Sequence, residues 1–378
     1  MRCGELTPPA CAPKRFSAQA RPPLNLRGGG KGTKMPIGNN APHMKHLLFR
    51  TALAVAVPAI CVFFSACNRS DHKPTGPPEK VTIAYATLPE TALAQVAQSR
   101  GYYREEGLEV TARLHPYGKP ALEDLLTGKA DFATVAETPV MFAIMKGEKI
   151  SVIATIQTSS LSHAILAGRE RGILALGDLK GKRIAATLGT TSDFFLDAIL
   201  SVNGISRKDI EVVDMKAQEI PDALARGDIA AASTFTPYVA FTQKKLGDRV
   251  ITFRDKDIYR YHFNVVSTQE FIRKNPDKVR KMLRALVKAE EFVRENPAAA
   301  QKIVADFSGI EKGIVRDIWA DARFNVTLDQ SLILALEDES RWAIDRGLTG
   351  ARTVPNYLDD IYFGGLKAVK PEAVRILK

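Results

Sequence analysis

The amino-acid sequence predicts an α/β protein of two lobes, with two strands that cross between the lobes and a helical C-terminal part. Three observations predict this fold. Short β-rich runs alternate with helical segments from residue 80 onward, which is typical of sheets covered by helices. The same order of elements recurs about a hundred residues later. The sequence after Asn275 has the apolar spacing of helices.

The first α/β unit contains three predicted strands. Two are the β-rich runs over 81–86 and 108–114, and the third is "DFATVA". Predicted helices over 91–100 and 120–127 lie between them, and each is followed by a glycine. Because strands alternate with helices, a parallel sheet with helices on its faces is predicted.

The second unit repeats the first element for element. The segment "IPDALARGDIAAASTFTPYVAF" matches "LEDLLTGKADFATVAETPVMFA", and both strands end in Thr-Pro at a predicted helix start. Proline is tolerated there, because its missing N–H would have no partner in the first turn. Segments 162–168 and 261–272 are the predicted crossing strands and form a hinge. The sequence therefore predicts lobe one over 80–167 and 263–378, and lobe two over 168–262.

The N-terminal region has the layout of an export signal. Residues 44–66 contain a positive segment, an apolar segment and a small-residue ending before Cys67. A membrane-spanning helix is the alternative, but only 17 residues separate Arg50 from Asn68 and Pro58 interrupts them, whereas a span needs roughly 20. The segment resembles a bacterial lipoprotein signal, with Phe64 where that pattern prefers leucine. Cys67 is thus the predicted lipidation site, and diacylation would anchor the protein to a membrane.

The segments around this signal carry no predicted fold. Residues 1–43 are rich in proline, glycine and arginine, and are interpreted as a disordered upstream extension that is not native, with Met44 as the true start. Residues 67–79 are polar and proline-rich, which predicts an extended tether.

Composition excludes several classes of function. The chain has 378 residues and a formal net charge of +11, of which residues 1–66 carry +8. No basic stripe interleaved with aromatic residues follows residue 80, so no nucleic-acid partner is expected. The last of the four cysteines is Cys67, which leaves no thiol for catalysis or disulfides in the rest of the chain.

The sequence contains no catalytic or metal-binding motif. His115, His163 and His262 are the histidines of the predicted fold, and they lie far apart in sequence. A His-Glu-x-x-His motif, a cysteine pair and a nucleophile elbow are all missing. We therefore expect a protein that is not an enzyme and needs no metal or cofactor.

The predicted binding site is a cleft between the lobes, because open α/β sheets bind ligands outside the carboxyl ends of their strands. In "LGTTSDFFLDAIL", a turn at Gly189 leads to hydroxyl residues and a helix start, which can bind a sulfonate or carboxylate. The alternative is that Thr191 or Ser192 only caps the helix. Glu137 could hold an ammonium or ring N–H of a ligand, or could simply favour the helix dipole.

Aromatic side chains supply the predicted walls of this cleft, Phe235 and Phe263 among them. The full set of predicted ligand-binding residues is Thr87, Leu88, Tyr117, Gly118, Glu137, Thr138, Gln157, Thr190, Thr191, Ser192, Thr234, Thr236 and Tyr261.

The blocks "RGYYREEGLEV", "GKADFATVAETP", "DLKGKRIAATLGTTSDFFL" and "STFTPYV" carry a family resemblance in their order and spacing. With them the chain resembles the substrate-binding proteins of ATP-driven importers, in the branch of nitrate, sulfonate, taurine and thiamine-pyrimidine binders. The resemblance implies a type II periplasmic-binding-protein fold that closes around a small solute. It also implies a monomer that delivers the solute to a permease and its ATPase, from the periplasm or the outer face of the cytoplasmic membrane.

Two departures from this resemblance bear on function. Asp193 stands where sulfonate binders of this branch tend to have histidine, which places sulfonate itself in doubt. Phe235 stands where relatives often have tryptophan. Two alternatives stay open: an enzyme like the thiamine-pyrimidine synthases, although their cysteine-rich segment is missing, or a ligand-sensing adaptor for a membrane receptor.

Overall fold

The computed structural model describes residues 76–377, which form two five-stranded mixed β-sheets covered by helices and one two-stranded parallel sheet. The predicted extension (1–43), the signal peptide (44–66) and the lipidation site Cys67 lie outside the described residues. The predicted α/β class is confirmed, since both sheets carry helices on their faces.

The first half of lobe one alternates strands and helices as the sequence predicts. Its elements are β1 (Glu79–Ala86), α1 (Ala92–Ser99), α2 (Tyr102–Glu105), β2 (Leu108–His115), α3 (Gly118–Leu126), β3 (Phe132–Ala136), α4 (Glu137–Met145) and β4 (Ile150–Ser159). A short 3₁₀ helix at Pro89–Thr91 follows β1.

Lobe two follows without interruption. Its elements are β5 (His163–Gly168), β6 (Arg183–Ala186), α5 (Thr191–Val202), β7 (Glu211–Asp214), α6 (Ile220–Arg226), β8 (Ala231–Phe235), α7 (Tyr238–Leu246) and β9 (Val250–Phe253). These five strands form a sheet in the order β7-β6-β8-β5-β9.

The chain then returns to lobe one and ends in helices. The remaining elements are β10 (Tyr261–Thr268), α8 (Gln269–Lys274), α9 (Pro276–Glu295), α10 (Pro297–Ser308), α11 (Lys312–Trp319), β11 (Leu328–Asp329), α12 (Gln330–Asp345), α13 (Phe363–Val369) and β12 (Val374–Arg375). Helix α9 buries a face of residues three and four apart, Val279, Met282, Leu283 and Leu286 among them, and packs against α1. Helix α12 packs against α4.

Strand β10 makes the first sheet mixed rather than parallel. The sheet has the order β2-β1-β3-β10-β4, in which β1 pairs in parallel with β2 and β3, while β10 runs antiparallel to β3 and β4. The prediction of a parallel sheet was therefore incomplete. Strand β10 enters lobe one from lobe two, so it runs opposite to the strands that follow helices of lobe one.

The pairing also corrects the predicted limits of the lobes. Residues 163–167 were assigned to lobe one, but β5 pairs with β8 and β9 of the second sheet. Tyr261 and His262 were assigned to lobe two, but they pair with β4 of the first sheet. The chain therefore crosses between Ser159 and His163 and again between Phe253 and Tyr261, because strand pairing rather than sequence position decides which lobe a residue joins.

The described helices all belong to this packed fold. Large side chains such as Ile83 and Phe132 in lobe one are completely buried. None of the helices between residues 76 and 377 combines the length and apolar character that a membrane crossing requires.

Candidate functional site

A cavity lies between the two lobes, at the strand ends where the sequence predicts a cleft. The space in it that the centre of a water-sized sphere can occupy is about 30 Å³, and we call it the cleft cavity. Its lining residues are Leu88, Glu90, Tyr117, Gly118, Lys119, Ala136, Pro139, His163, Thr190, Thr191, Phe235, Tyr261 and Phe263.

Part of the predicted site lines this cavity and part lies elsewhere. The predicted residues on its wall are Leu88, Tyr117, Gly118, Thr190, Thr191 and Tyr261. The predicted residues not on its wall are Thr87, Glu137, Thr138, Gln157, Ser192, Thr234 and Thr236. Whether the wall residues bind a ligand stays a prediction.

Gly118 contributes through its lack of a side chain. A Cβ at this position would lie 2.8 Å from the Cα of Val135, so only glycine lets the start of α3 approach β3 this closely. The close approach places Tyr117, which precedes the helix, on the cavity wall.

Glu90 is the acid of the cleft cavity. Its residue is 2% exposed, and its Oε1 accepts a hydrogen bond of 2.5 Å from Thr236 Oγ1 of the other lobe. Its Oε2 forms no well-aligned hydrogen bond. Burial raises the pKa of Glu90 to about 7, and the neighbouring hydroxyls of Thr236 and Tyr261 act in the opposite direction. Near neutral pH this carboxyl is therefore partly protonated.

His163 is a neutral part of the cavity wall. Its Nε2 lies 2.7 Å from Thr191 Oγ1, and its ring packs against Tyr259 and Tyr261 at centroid distances of 5.3 and 5.2 Å. Burial, together with the positive charge of Arg254, lowers the pKa of His163 to about 3. The imidazole is therefore uncharged at neutral pH and offers no cation to an anionic ligand.

The start of α5 uses its own polar groups. Thr190 is the N-cap residue, one position before the predicted Thr191 or Ser192, because its extended backbone lets its Oγ1 accept from Ser192 N. The carboxylate of Asp193 accepts from Gly189 N and pairs with Arg207 at 2.8 Å. Ser192 is completely buried, with its hydroxyl bonded to Thr187. Capping accounts for most of the polar groups in this turn.

Glu137 is completely buried inside lobe one and is not on the cavity wall, so whether it meets a ligand stays a prediction. Its Oε1 accepts a 2.6 Å hydrogen bond from the Tyr259 hydroxyl, and its Oε2 accepts from His262 N at 2.9 Å. Tyr259 lies just before β10, and His262 is the second residue of that strand. The strand that returns to lobe one therefore holds this carboxyl away from the cleft.

Several hydrogen bonds join the lobes beside the cavity. Lys119 Nζ of lobe one donates to the Leu188 carbonyl of lobe two at 3.0 Å. Trp342 Nε1 donates to Asp197 on α5 at 2.7 Å, and Arg346 pairs with the same carboxylate at 3.0 Å. These contacts link the two lobes directly.

Five wall residues were not among the predicted ligand-binding residues or aromatic walls, namely Glu90, Lys119, Ala136, Pro139 and His163. Glu90 lies in the 3₁₀ helix after β1 and Pro139 in the first turn of α4 after β3, and their places just after predicted strands were a usable signal. His163 was considered only for catalysis, and its place beside Thr191 depends on the pairing of β5 with β8, which no local pattern reveals.

Comparisons with known proteins give one family match and several similar proteins. A family model described as "NMT1/THI5 like" matches residues 89–300. A putative aliphatic sulfonates-binding protein of Bacillus subtilis (strain 168) is 25% identical over 272 residues, which cover 69% of this chain and 82% of that protein.

Solved structures share the fold. The periplasmic aliphatic sulphonate binding protein SsuA from Escherichia coli matches with a TM-score of 0.64 at 17% identity, over 75% of this chain and 98% of that one. The desulfurization enzyme DSZB matches with a TM-score of 0.60 at 15% identity, over 77% of this chain and 99% of that one. Proteins of different activities therefore share this fold.

Proposed function

Because the chain belongs to the NMT1/THI5-like family, we propose that it is the solute-binding subunit of an ATP-driven importer. It captures a small polar or anionic organic solute of the sulfonate, nitrate, taurine or pyrimidine kind between its lobes and delivers it to a permease. The observation that carries this proposal is the cleft cavity, whose wall combines residues of both lobes. The name of the Bacillus subtilis relative supports the same role.

The protein acts without changing its solute. Residues 76–377 contain no cysteine, and no group of three His, Cys, Asp or Glu residues in that range could hold a metal ion. His163 is held neutral and has no acidic partner among its described contacts that could make it a catalytic base.

The protein works at the outside of the cytoplasmic membrane, in the periplasm, where Cys67 carries a lipid anchor. The layout of residues 44–67 supports this placement. Replacing Cys67 with serine should release the protein from the membrane fraction into the soluble fraction. Unchanged fractionation of Cys67→Ser would contradict the anchor.

The binding role is tested by melting the purified chain with a panel of sulfonates, nitrate, carboxylates, amino acids and pyrimidines. A bound solute raises the melting temperature by mass action. Thr191→Trp fills the cleft cavity and should abolish that shift, while Thr111→Trp, at an exposed position of β2, should retain it. The absence of any shift across the panel would reject the proposed function.

A further inference from the structure

We infer that Asp321 is a positioning residue of the hinge. Its carboxylate fixes the first crossing segment (160–162) to lobe one, so that the change from one lobe to the other falls at the link between Leu161 and Ser162. The inference goes beyond the proposed function, because it concerns how the two lobes are joined and holds whatever the solute is. Asp321 lies in a loop of lobe one and is not part of the wall of the cleft cavity.

The loop after α11 runs along β4, which is the outer strand of its sheet. Thr155 and Thr327 exchange two backbone hydrogen bonds, of 2.8 and 3.0 Å. Thr158 and Arg323 exchange two more, of 3.0 and 2.9 Å. These antiparallel pairs hold the loop in register with the strand. They therefore place Asp321, two residues before Arg323, beside the point where β4 ends and the first crossing segment begins.

The side chain of Asp321 binds the start of the crossing segment. Its Oδ2 accepts hydrogen bonds from Ser160 N at 3.2 Å and from Leu161 N at 2.8 Å. The hydroxyl of Ser159 donates to the same oxygen. Backbone N–H groups need an acceptor, and a carboxylate is a stronger one than a neutral carbonyl. The chain up to Leu161 is therefore fixed to lobe one.

The next residue is held by lobe two. The carbonyl of Ser162 accepts a hydrogen bond of 2.9 Å from Thr236 N, and His163 begins β5. The change from lobe one to lobe two thus takes place within one link, between Leu161 and Ser162. Hinge motion is concentrated in a few residues that absorb the change in backbone angles. Rotation at this link preserves the hydrogen bonds that hold the chain on either side.

The second crossing segment (254–260) is held less closely. Phe253 pairs with Ile165 in the sheet of lobe two, and the Tyr259 hydroxyl donates to Glu137 in lobe one. The hydrogen bonds described for residues 254–258 join these residues only to one another. This segment can therefore follow a movement of the lobes, whereas the first one determines where the chain bends.

The charge of Asp321 also acts on the second crossing segment. Burial lowers the pKa of Arg254, the first residue of that segment, and the negative charge of Asp321 acts in the opposite direction. Asp321 therefore lies near both connections between the lobes, which is the place for a residue that positions a hinge.

The test is hydrogen–deuterium exchange on the purified chain without solute, measured by mass spectrometry of overlapping peptides. Asp321→Ala removes the acceptor, so the amides of Ser160 and Leu161 should exchange about tenfold faster. Asp321→Asn keeps an acceptor oxygen for these bonds and should stay within about threefold of wild type. Asp317→Ala, an exposed acid on α11, is the matched control and should leave both amides unchanged.

The outcomes decide the role of Asp321. Unchanged exchange at Ser160 and Leu161 in Asp321→Ala overturns it, and so does an equal rise in strand β3, which would show a general loss of stability. Exchange in Asp321→Asn as fast as in Asp321→Ala also overturns it, because the acceptor oxygen would then not be the cause.

The wild-type protein gives a measurement that does not depend on the folding of a variant. The amides of Ser160 and Leu161 should exchange about tenfold more slowly than the amide of Lys256, for which no backbone acceptor is described. Equal exchange rates, corrected for the intrinsic rate of each sequence, would overturn the inference. Since none of these measurements uses a solute, their failure leaves the proposed function intact.

Discussion

The two Thr-Pro turns of the molecule show the same sequence pattern used in opposite ways. In lobe one, Glu137 precedes Thr-Pro and turns into the protein, where the Tyr259 hydroxyl and His262 N bond to it. In lobe two, Phe235 precedes Thr-Pro and lines the cleft cavity, while Thr236 donates across the cleft to Glu90. The repeat therefore predicts where the turns lie but not which way their side chains face.

The difference places two buried carboxyls in different electrostatic settings. Glu137 has hydrogen-bond donors on both oxygens. Burial, together with the nearby charge of Glu137, raises the pKa of the neighbouring Glu339. Glu90 accepts from Thr236 on one oxygen and lies beside the Tyr261 hydroxyl, and its burial raises its pKa to about 7. Glu137 thus stabilises the junction of α4 with β10, whereas burial disfavours the ionised form of Glu90.

The largest expected effect is the pH dependence that Glu90 imposes on stability. Below pH 4.5 the carboxyl of Glu90 is protonated in both the folded and the unfolded protein. Between pH 4.5 and about 7 it loses its proton only in the unfolded protein. The free energy of unfolding should therefore fall by about 3 kcal/mol over this range, and the loss should be complete above pH 7. Urea unfolding of wild type and Glu90→Gln at pH 4 and pH 8 measures it. A wild-type minus variant difference that stays constant with pH would contradict the buried, protonated carboxyl.

A smaller effect is expected at the other carboxyl. Glu137→Ala leaves the N–H of His262 and the hydroxyl of Tyr259 without their acceptor inside lobe one. The unfolding free energy at pH 7 should fall by about 2 kcal/mol, since unpaired buried donors are costly. Glu109→Ala, at an exposed position, is the control for losing a carboxylate. An unfolding free energy equal to that of the control would show that the hydrogen bonds to Glu137 do not stabilise the fold.

The smallest expected effect is at Thr236. Thr236→Val keeps the shape of the side chain but removes the hydrogen bond to Glu90, which should cost about 1 kcal/mol of stability. Since this bond lowers the pKa of Glu90, the midpoint of the pH profile should also move upward. Thr111→Val on the exposed strand β2 should change neither quantity. An unchanged midpoint in Thr236→Val would mean that the bond across the cleft does not act on Glu90.

Local patterns were enough to predict the order of strands and helices. Each unit shows the alternation of β-rich runs with helical segments in its own sequence. The local sequence also predicts that Thr190 and Thr191 lie at the start of α5. The direction of Glu137 was not predictable in this way. It depends on Tyr259 and His262, which follow it by more than 120 residues and meet it only when β10 enters the sheet.

The same limit explains the corrected boundary of the lobes. The run His163–Gly168 reads as a strand from its own residues, but its partners β8 and β9 lie 60 to 90 residues later. Sequence reasoning therefore placed the strand correctly and assigned it to the wrong sheet.

The insertion of β10 between β3 and β4 has a consequence for synthesis on the ribosome. Lobe two is continuous from His163 to Phe253 and has every strand of its sheet once that segment has emerged. Lobe one, although it begins first, has a gap between β3 and the edge strand β4 until Thr268 has been added. The half of the molecule that is made later is thus the one able to complete its sheet earlier, and a nascent chain stalled before residue 261 exposes two unpaired strand edges.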